Sequence, residues 1–531
     1  MASAAEYAQS APQTRPQINP WLIAITVMLA TFMEVLDTSV ANVSLPHIAG
    51  SLSASVDEST WVLTSYLVSN AIVLPLTGWF STLFGRKKFF MGCVVVFTLS
   101  SLLCGLAPSL PLLVFFRTIQ GAGGGGLQPI SQAILVDSFP REKQGMAMAI
   151  YGMGVVLAPT IGPTLGGWIT DSYTWRWIFF LNVPVGIISL LLTSILIVDA
   201  DGAIRKSIKD GLRIDFIGLG LLAVGLGFLQ VVLDKGERDD WFGSSFIVWG
   251  TVIAVTALLA LIVWELRVKD PVIELHLLKD RNFAISTFMM YVLGVVMYGT
   301  TVLLPIMLQT LMGYTAMQSG LVLFPGGVLL LGILPFVGWL LGKIEARWIV
   351  VFGLCTISLG LWELSRFSLE VGMRTTVLDW MISRAGTAFL FVPINVMAFS
   401  FVAPAKTNSA TGFINLARNI GASTGISFVT TMLDRRAQFH QARLVPNLTP
   451  MNHGYQAALL RMTHMLIARG LDAVHAAIMA QQLIYSQLQR QAMMLSFVDN
   501  FWVMSMISLA VIPLLFLMKA SKGRGRRAPM H

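Results

Sequence analysis

Residues 32–42 read Phe32-Met33-Glu34-Val35-Leu36-Asp37-Thr38-Ser39-Val40-Ala41-Asn42. Two carboxylates stand three positions apart in the middle of an otherwise apolar run, so on a helix they share one face. At lipid depth each charge costs ~2.5–3.5 kcal/mol unless it faces a cavity, meets a partner or binds a proton. The run itself, 21–43, is long enough to cross a ~30 Å hydrocarbon core. Thirteen more such runs follow, near 61–83, 89–107, 111–135, 146–170, 177–198, 214–233, 246–266, 283–311, 320–341, 347–364, 377–401, 409–432 and 497–518. The composition agrees: 531 residues, 55% hydrophobic and 12% charged, with a mean hydropathy of +0.73. A soluble chain carries about 25% charged residues. Soluble enzymes and single-anchor receptors are therefore excluded. An outer-membrane barrel, whose strands alternate every second residue, is excluded too. The expected fold is an all-α membrane protein of fourteen transmembrane helices.

The charges set the expected topology. A net charge of +9 admits a nucleic-acid partner in principle. Instead, Lys and Arg gather in loops on one side of the spans. That side holds 22 of the 36, among them Arg86, Lys87, Lys88 and Lys343, whereas the short loops opposite hold 5. This is the positive-inside pattern; it places both termini in the cytoplasm and leaves no role for nucleic acid. Cys93, Cys104 and Cys355 fall inside apolar spans without metal-ligand spacing, so neither disulfides nor a metal site is expected. Residues 1–20 lack a basic n-region and a cleavage site, so the first span is expected to serve as the insertion signal.

A weak internal repeat sets the expected organisation. Gly78-Trp79-Phe80-Ser81, followed by Gly85-Arg86-Lys87-Lys88, recurs as Gly338-Trp339-Leu340-Leu341 followed by Lys343 and Arg347. Leu45-Pro46 recurs as Leu304-Pro305 at nearly the same offset. Two parallel six-helix bundles fit this pattern, the transporter plan with a site at their interface. The expected division is a cytoplasmic tail at 1–20, a bundle at 21–198 and a linker with two extra helices at 199–282. A second bundle at 283–518, with an outside helical loop at 433–496, and a basic tail at 519–531 complete it.

Glu34 and Asp37 form either a proton-carrying site, with a counter-charge for a cationic substrate, or a buried pair bonded to a neighbouring Arg or Asn. Arg117, early in the fourth span, needs a partner, and Asp37 is a candidate. Such a pair either couples protonation to helix movement or is a static ion pair. Arg384 and Arg418 pose the same question in the second half, whereas Glu363 and Arg366 lie where side chains snorkel to the surface. Gly154 to Gly167, containing Pro159, Gly162, Pro163 and Gly166, is dense in residues that permit close helix approach and a kink.

Taken together, these stretches resemble the major facilitator superfamily, specifically its fourteen-span drug:proton antiporters of the EmrB/QacA type. They are Leu36 to Pro46, Gly78 to Lys88, Arg117 to Gly121, Pro159 to Gly167 and Trp175 to Pro184. The resemblance covers essentially the whole chain. It implies proton-driven export by alternating access. Coupling roles then fall on Asp37 and Arg117, and a leak-limiting role on Gly154 to Gly167. It also implies a cytoplasmic gate at Gly78, Gly85, Arg86 and Asp137. Where the family often has an Asp two positions before Phe84, this chain has Thr82, which removes one member of the charge relay at that gate.

The segment 434–496 is polar at first and helix-prone from about 455 to 494. Leu459, Leu460, Met462, Leu466 and Ile467, then Ile478, Leu483, Ile484 and Leu488, keep helical spacing opposite Gln, Arg and His. The resemblance implies that this face docks a periplasmic membrane-fusion adaptor leading to a TolC-type outer-membrane channel. Packing on the protein itself or on membrane lipid is the alternative. No Gly-x-x-x-x-Gly-Lys-Ser/Thr motif is present and no cofactor is expected, which leaves the proton gradient as the energy source. One charge crossing 100 mV yields ~2.3 kcal/mol, enough for a gradient of roughly 50-fold. The reading is an inner-membrane exporter, not an enzyme, that moves hydrophobic small-molecule drugs in exchange for protons. Export of a single metabolite, fatty acid or siderophore on the same fold, or uncoupled facilitation, are the alternatives.

Overall fold

A computed structural model describes residues 19–140, 143–197, 215–268, 271–400, 402–403 and 406–519. The expected tails, 1–18 and 520–531, and the start of the linker at 199–214 lie outside the described residues, as does the Pro163 side chain. The described chain is helical. Its main helices are α1 (Pro20–Ser51), α2 (Trp61–Phe84), α3 (Arg86–Leu106), α4 (Leu110–Gly124), α5 (Leu127–Ser138), α6 (Gln144–Ser172), α7 (Asn182–Leu196) and α8 (Phe216–Lys235). They continue with α9 (Ser245–Glu265), α10 (Arg281–Thr310), α11 (Ala316–Leu340), α12 (Ala346–Leu364), α13 (Met373–Phe399), α14 (Thr407–Leu444), α15 (His453–Ala468) and α16 (Ala473–Ala510). Side-chain caps fix several starts: Asn19 accepts from the Trp21 amide, Asp280 from that of Phe283, and Thr315 forms a capping box with Gln318.

Among the described residues, eleven helices are long and apolar enough to cross a membrane, against fourteen expected. The three others are helical but different in character. The run 111–135 is interrupted at Gly125-Gly126 and yields two helices of 15 and 12 residues. Glycine is a poor helix former, and these glycines admit close neighbours. A Cβ on Gly125 would lie 2.7 Å from the Asn70 carbonyl, and one on Gly123 2.7 Å from the Phe97 nitrogen. The run 146–170 lies within the 29-residue α6. The run 409–432 lies within the 38-residue α14, whose buried polar stripe keeps its hydropathy low.

The helices pack in two sets with one pattern. In the first, α1 lies on α6 and α7, α3 on α4 and α7, and α2 on α4; in the second, α10 lies on α14 and α16, α12 on α13 and α16, and α11 on α13. The sets meet along two seams, α2 with α14 and α6 with α11. Proline sits inside both leading helices, at Pro46 and Pro305. The pair α8–α9 lies against the α2–α14 seam: Gln230 donates to Ser423 (2.6 Å), and the Trp241 indole to Thr431 (2.9 Å).

The last expected loop is largely helix. α14 runs on to Leu444, and α16 begins at Ala473, far ahead of the expected last span. Each has 38 residues, about 57 Å, which exceeds a ~30 Å core. Both are therefore longer than a bilayer crossing needs, and their extra length lies at the end opposite the basic turn Gly85–Lys88. Arg436 and His440 on α14 both reach Asp499 on α16, at 2.5 and 2.7 Å. α15 folds back on α16 around Leu466, Ala476 and Ala480, with Leu459 and Met462 packed against them. Leu460, Ile478 and Leu483 stay exposed.

Candidate functional site

Two carboxylates three residues apart on α1 end in different environments. Asp37 is sealed within the first set of helices. Its Oδ2 accepts from Arg117 Nη1 on α4 at 2.5 Å. Its Oδ1 accepts from Gln120 Nε2 at 3.0 Å and from Asn182 Nδ2 on α7 at 2.6 Å. Arg117 is 0% exposed. Its Nε donates to the Val62 carbonyl at 3.0 Å, and the guanidinium sits 4.3 Å from the Tyr66 ring centroid. A charge so enclosed is tolerable only with its partner in place.

Glu34, 4% exposed, accepts among the described residues only from neutral donors: Tyr66 Oη (3.2 Å), Asn70 Nδ2 (3.2 Å) and Gln128 Nε2 (2.5 Å). The carbonyl oxygen of that same Gln128 accepts from Arg418 on α14, across the seam. Glu34, Gln128 and Arg418 thus form a chain of hydrogen bonds joining the two sets, with Phe391 of α13 5.7 Å from the Arg418 guanidinium. Further rungs on α14 are Asn408 to Ser81 (2.7 Å), Asn415 to Gln132 (2.8 Å) and Asn419 to Asn70 (3.3 Å). Neutral rungs of this kind exchange at small cost when the helices separate.

The remaining expected residues divide between packing and the seams. Gly154, Gly162 and Gly166, with Ala158 between them, form a ridge at every fourth residue of α6 that faces α1. A Cβ on Gly154 would lie 2.6 Å from Met28, and one on Gly166 2.9 Å from Val40; Gly167 faces open space. α6 runs unbroken through Pro159. Gly78 holds α2 against α14, where a Cβ would meet the Ser409 backbone at 2.9 Å. Gly85, at φ +82°, makes the turn into α3 that a side chain would strain. Arg86 pairs with Asp137 at the end of α5. Thr82 donates to its own helix at the Gly78 carbonyl (2.9 Å). Cross-seam contacts gather at this basic end, where Gly145 of α6 also lies against the Gly338 carbonyl of α11. Arg384 lies apart from both carboxylates, between α10, α11 and α13. Glu363 and Arg366 form a surface pair at 3.8 Å.

Sequence reasoning missed Gln128, Tyr66 and Asn70, and took Gln120 and Asn182 only as members of larger motifs. A usable signal was present, because Gln and Asn inside apolar spans require buried partners. Among the described residues no group of three His, Cys, Asp or Glu gathers to hold a metal.

The family model of the Major Facilitator Superfamily matches residues 27–426, from α1 into α14. The chain belongs to the major facilitator superfamily. Multidrug export protein EmrB of Escherichia coli (strain K12) is 36% identical over 517 residues, 97% of this chain and 98% of that protein. Fatty acid resistance protein FarB of Neisseria gonorrhoeae is 35% identical over 94% of this chain and 96% of its own. The proton:xylose symporter XylE superposes with a TM-score of 0.59 at 15% identity, over 95% of this chain and 97% of that one, which shows the shared fold. This major facilitator protein is therefore a multi-pass membrane transporter homologous to EmrB-type proteins, and not an enzyme.

Proposed function

We propose that the chain is a drug:proton antiporter of the bacterial inner membrane that exports hydrophobic compounds by alternating access. One observation carries this reading: Glu34 is a buried carboxylate held, among the described residues, by neutral donors alone, beside a sealed Asp37–Arg117 pair. Glu34 is the group that takes up and releases the proton. Protonation removes the charge that Gln128 donates to, weakens the link through Gln128 to Arg418, and loosens α14 from α5. The ion pair on α4 keeps α1 in register while this happens.

The fourteen helical runs each cross the membrane in this reading, with both termini cytoplasmic. The two packing sets are six-span halves at 21–198 and 283–518, and α8–α9 is the insertion at the seam. The contacts at the basic end support a cytoplasmically closed state. Gly78, Gly85, Arg86 and Asp137 act in the gate, and the α6 glycine ridge limits leakage along α1. The exposed apolar residues of the α15–α16 hairpin support docking of a periplasmic adaptor that leads to an outer-membrane channel.

The test is transport by purified protein in liposomes with an imposed pH gradient and a fluorescent hydrophobic dye, native chain against Glu34→Gln and Asp37→Asn. Uphill dye movement that needs the gradient and both carboxylates is expected. Downhill movement that ignores the gradient would replace the antiporter with a facilitator.

A further inference from the structure

Among the described residues, the buried mid-span Asp, Glu and Arg side chains balance in pairs, except one. Asp37 neutralises Arg117, and Glu34 meets Arg418 through Gln128. Arg384, near the middle of α13 and 6% exposed, has no carboxylate partner among the described residues. Its Nη2 donates to Thr300 Oγ1 of α10 at 2.8 Å, its guanidinium lies 3.8 Å from the Trp380 ring centroid, and its buried Nε has no hydrogen-bond partner. Guanidinium does not lose its proton in proteins, so the charge cannot be relieved by titration. A buried cation in this state calls for an anion.

The surroundings are shaped for that side chain. On α11, a Cβ at Gly326 would lie 2.7 Å from Trp380 Cδ1 and 3.0 Å from Arg384 Cγ, so the absence of a side chain there makes room for the stacked pair. Seven residues along α13, on the same face, Phe391 stacks on Tyr151 of α6 with centroids 6.2 Å apart and lies beside Arg418. Arg384 therefore stands on the face that α13 turns toward the central cluster, about 10 Å along the helix from it.

We propose that Arg384, with Trp380 and Thr300, is the head-group site for an amphipathic organic anion. The Nε–Nη2 edge takes a carboxylate or sulfonate in the forked geometry that guanidinium favours, and the apolar part lies along the Phe391 face. This deepens the exporter reading and rests on it, since it names the class of substrate that the exporter carries.

The experiment is equilibrium binding of radiolabelled laurate and dodecyltrimethylammonium to the full chain in phosphatidylcholine nanodiscs, native against Arg384→Gln. Partition into lipid is common to both proteins and cancels. Laurate is expected to bind the native protein roughly 10–100-fold more tightly than Arg384→Gln, the range of a charged hydrogen bond, with the ammonium unchanged. Thr300→Val, which leaves the charge in place, is expected to weaken laurate several-fold and serves if Arg384→Gln does not fold. Equal laurate affinity in native and variant proteins overturns the assignment. So does an anionic phospholipid that co-purifies with the native chain, is absent from Arg384→Gln and excludes laurate, because the occupant is then a lipid head group. Binding is read without a gradient. A chain that holds laurate through Arg384 yet exports nothing would refute the antiporter and leave this site standing.

Discussion

Replacing Asp37 by Asn and Glu34 by Gln removes one negative charge from α1 in each case, yet the structure assigns the two changes different costs. Asp37→Asn leaves Arg117, 0% exposed and enclosed by Tyr66 and Phe179, without its counter-charge. Nη2 of Arg117 is already without a hydrogen-bond partner among the described residues. Breaking a buried pair from one side costs about 3–5 kcal/mol. Glu34→Gln strands no cation in direct contact. The new amide still accepts from Tyr66 and Asn70, and it loses the bond from Gln128, about 1–2 kcal/mol. Unfolding of purified protein in nanodiscs should therefore rank Asp37→Asn well below Glu34→Gln. The double change Asp37→Asn with Arg117→Gln should recover stability relative to either single change, because no uncompensated charge remains. Equal destabilisation by Asp37→Asn and Glu34→Gln, or strict additivity in the double variant, would refute the division into a sealed ion pair and a separate neutral-bonded carboxylate.

Three further outcomes follow from the packing and the surface. Gly166→Leu should lower thermal stability by about 1–3 kcal/mol through overpacking against Val40, while Gly167→Leu, which faces open space, should leave the melting temperature nearly unchanged. Cysteines at Ser81 and Asn408, now bridged at 2.7 Å, should cross-link and stop dye export until reduced; undiminished export by the cross-linked protein would mean that this seam does not open during transport. Glu237, in the turn after α8, is pushed from the ordinary 4.5 to about 7 by the hydrogen bond it shares with the Asp434 carboxyl, by burial and by the Asp434 charge. That contact is fully present below about 4.5 and is lost as pH rises through about 7. Hydrogen exchange around 236–243 and 431–436 should therefore speed up between pH 5.5 and 8, and Glu237→Gln should abolish the change.

Much of this protein is legible in one dimension because a bilayer leaves a helix few ways to satisfy its backbone. Apolar runs of sufficient length become helices, and α1, α10 and α13 stand where hydropathy places them. The runs that depart do so for local reasons. Four consecutive glycines interrupt 111–135, and the polar stripe of α14 makes it look less like a span than its neighbours. The loop before the last span is hidden for the opposite reason. Its residues continue α14 and α16 well past the apolar runs without any change of period that marks a boundary.

The sequence by itself placed Glu34, Asp37, Arg117, Arg384 and Arg418 inside apolar runs, because charge inside such a run is visible without coordinates. Only the tertiary structure decided which of them meet. Asp37 and Arg117 are 80 positions apart, and Glu34 reaches Arg418 through a glutamine on a third helix. Such pairings are set by which helix faces turn inward when two packing sets close on each other, and no periodicity records that choice. Among the described residues, the same packing left Arg384 without a carboxylate, a fact of three helices meeting and of none of them alone.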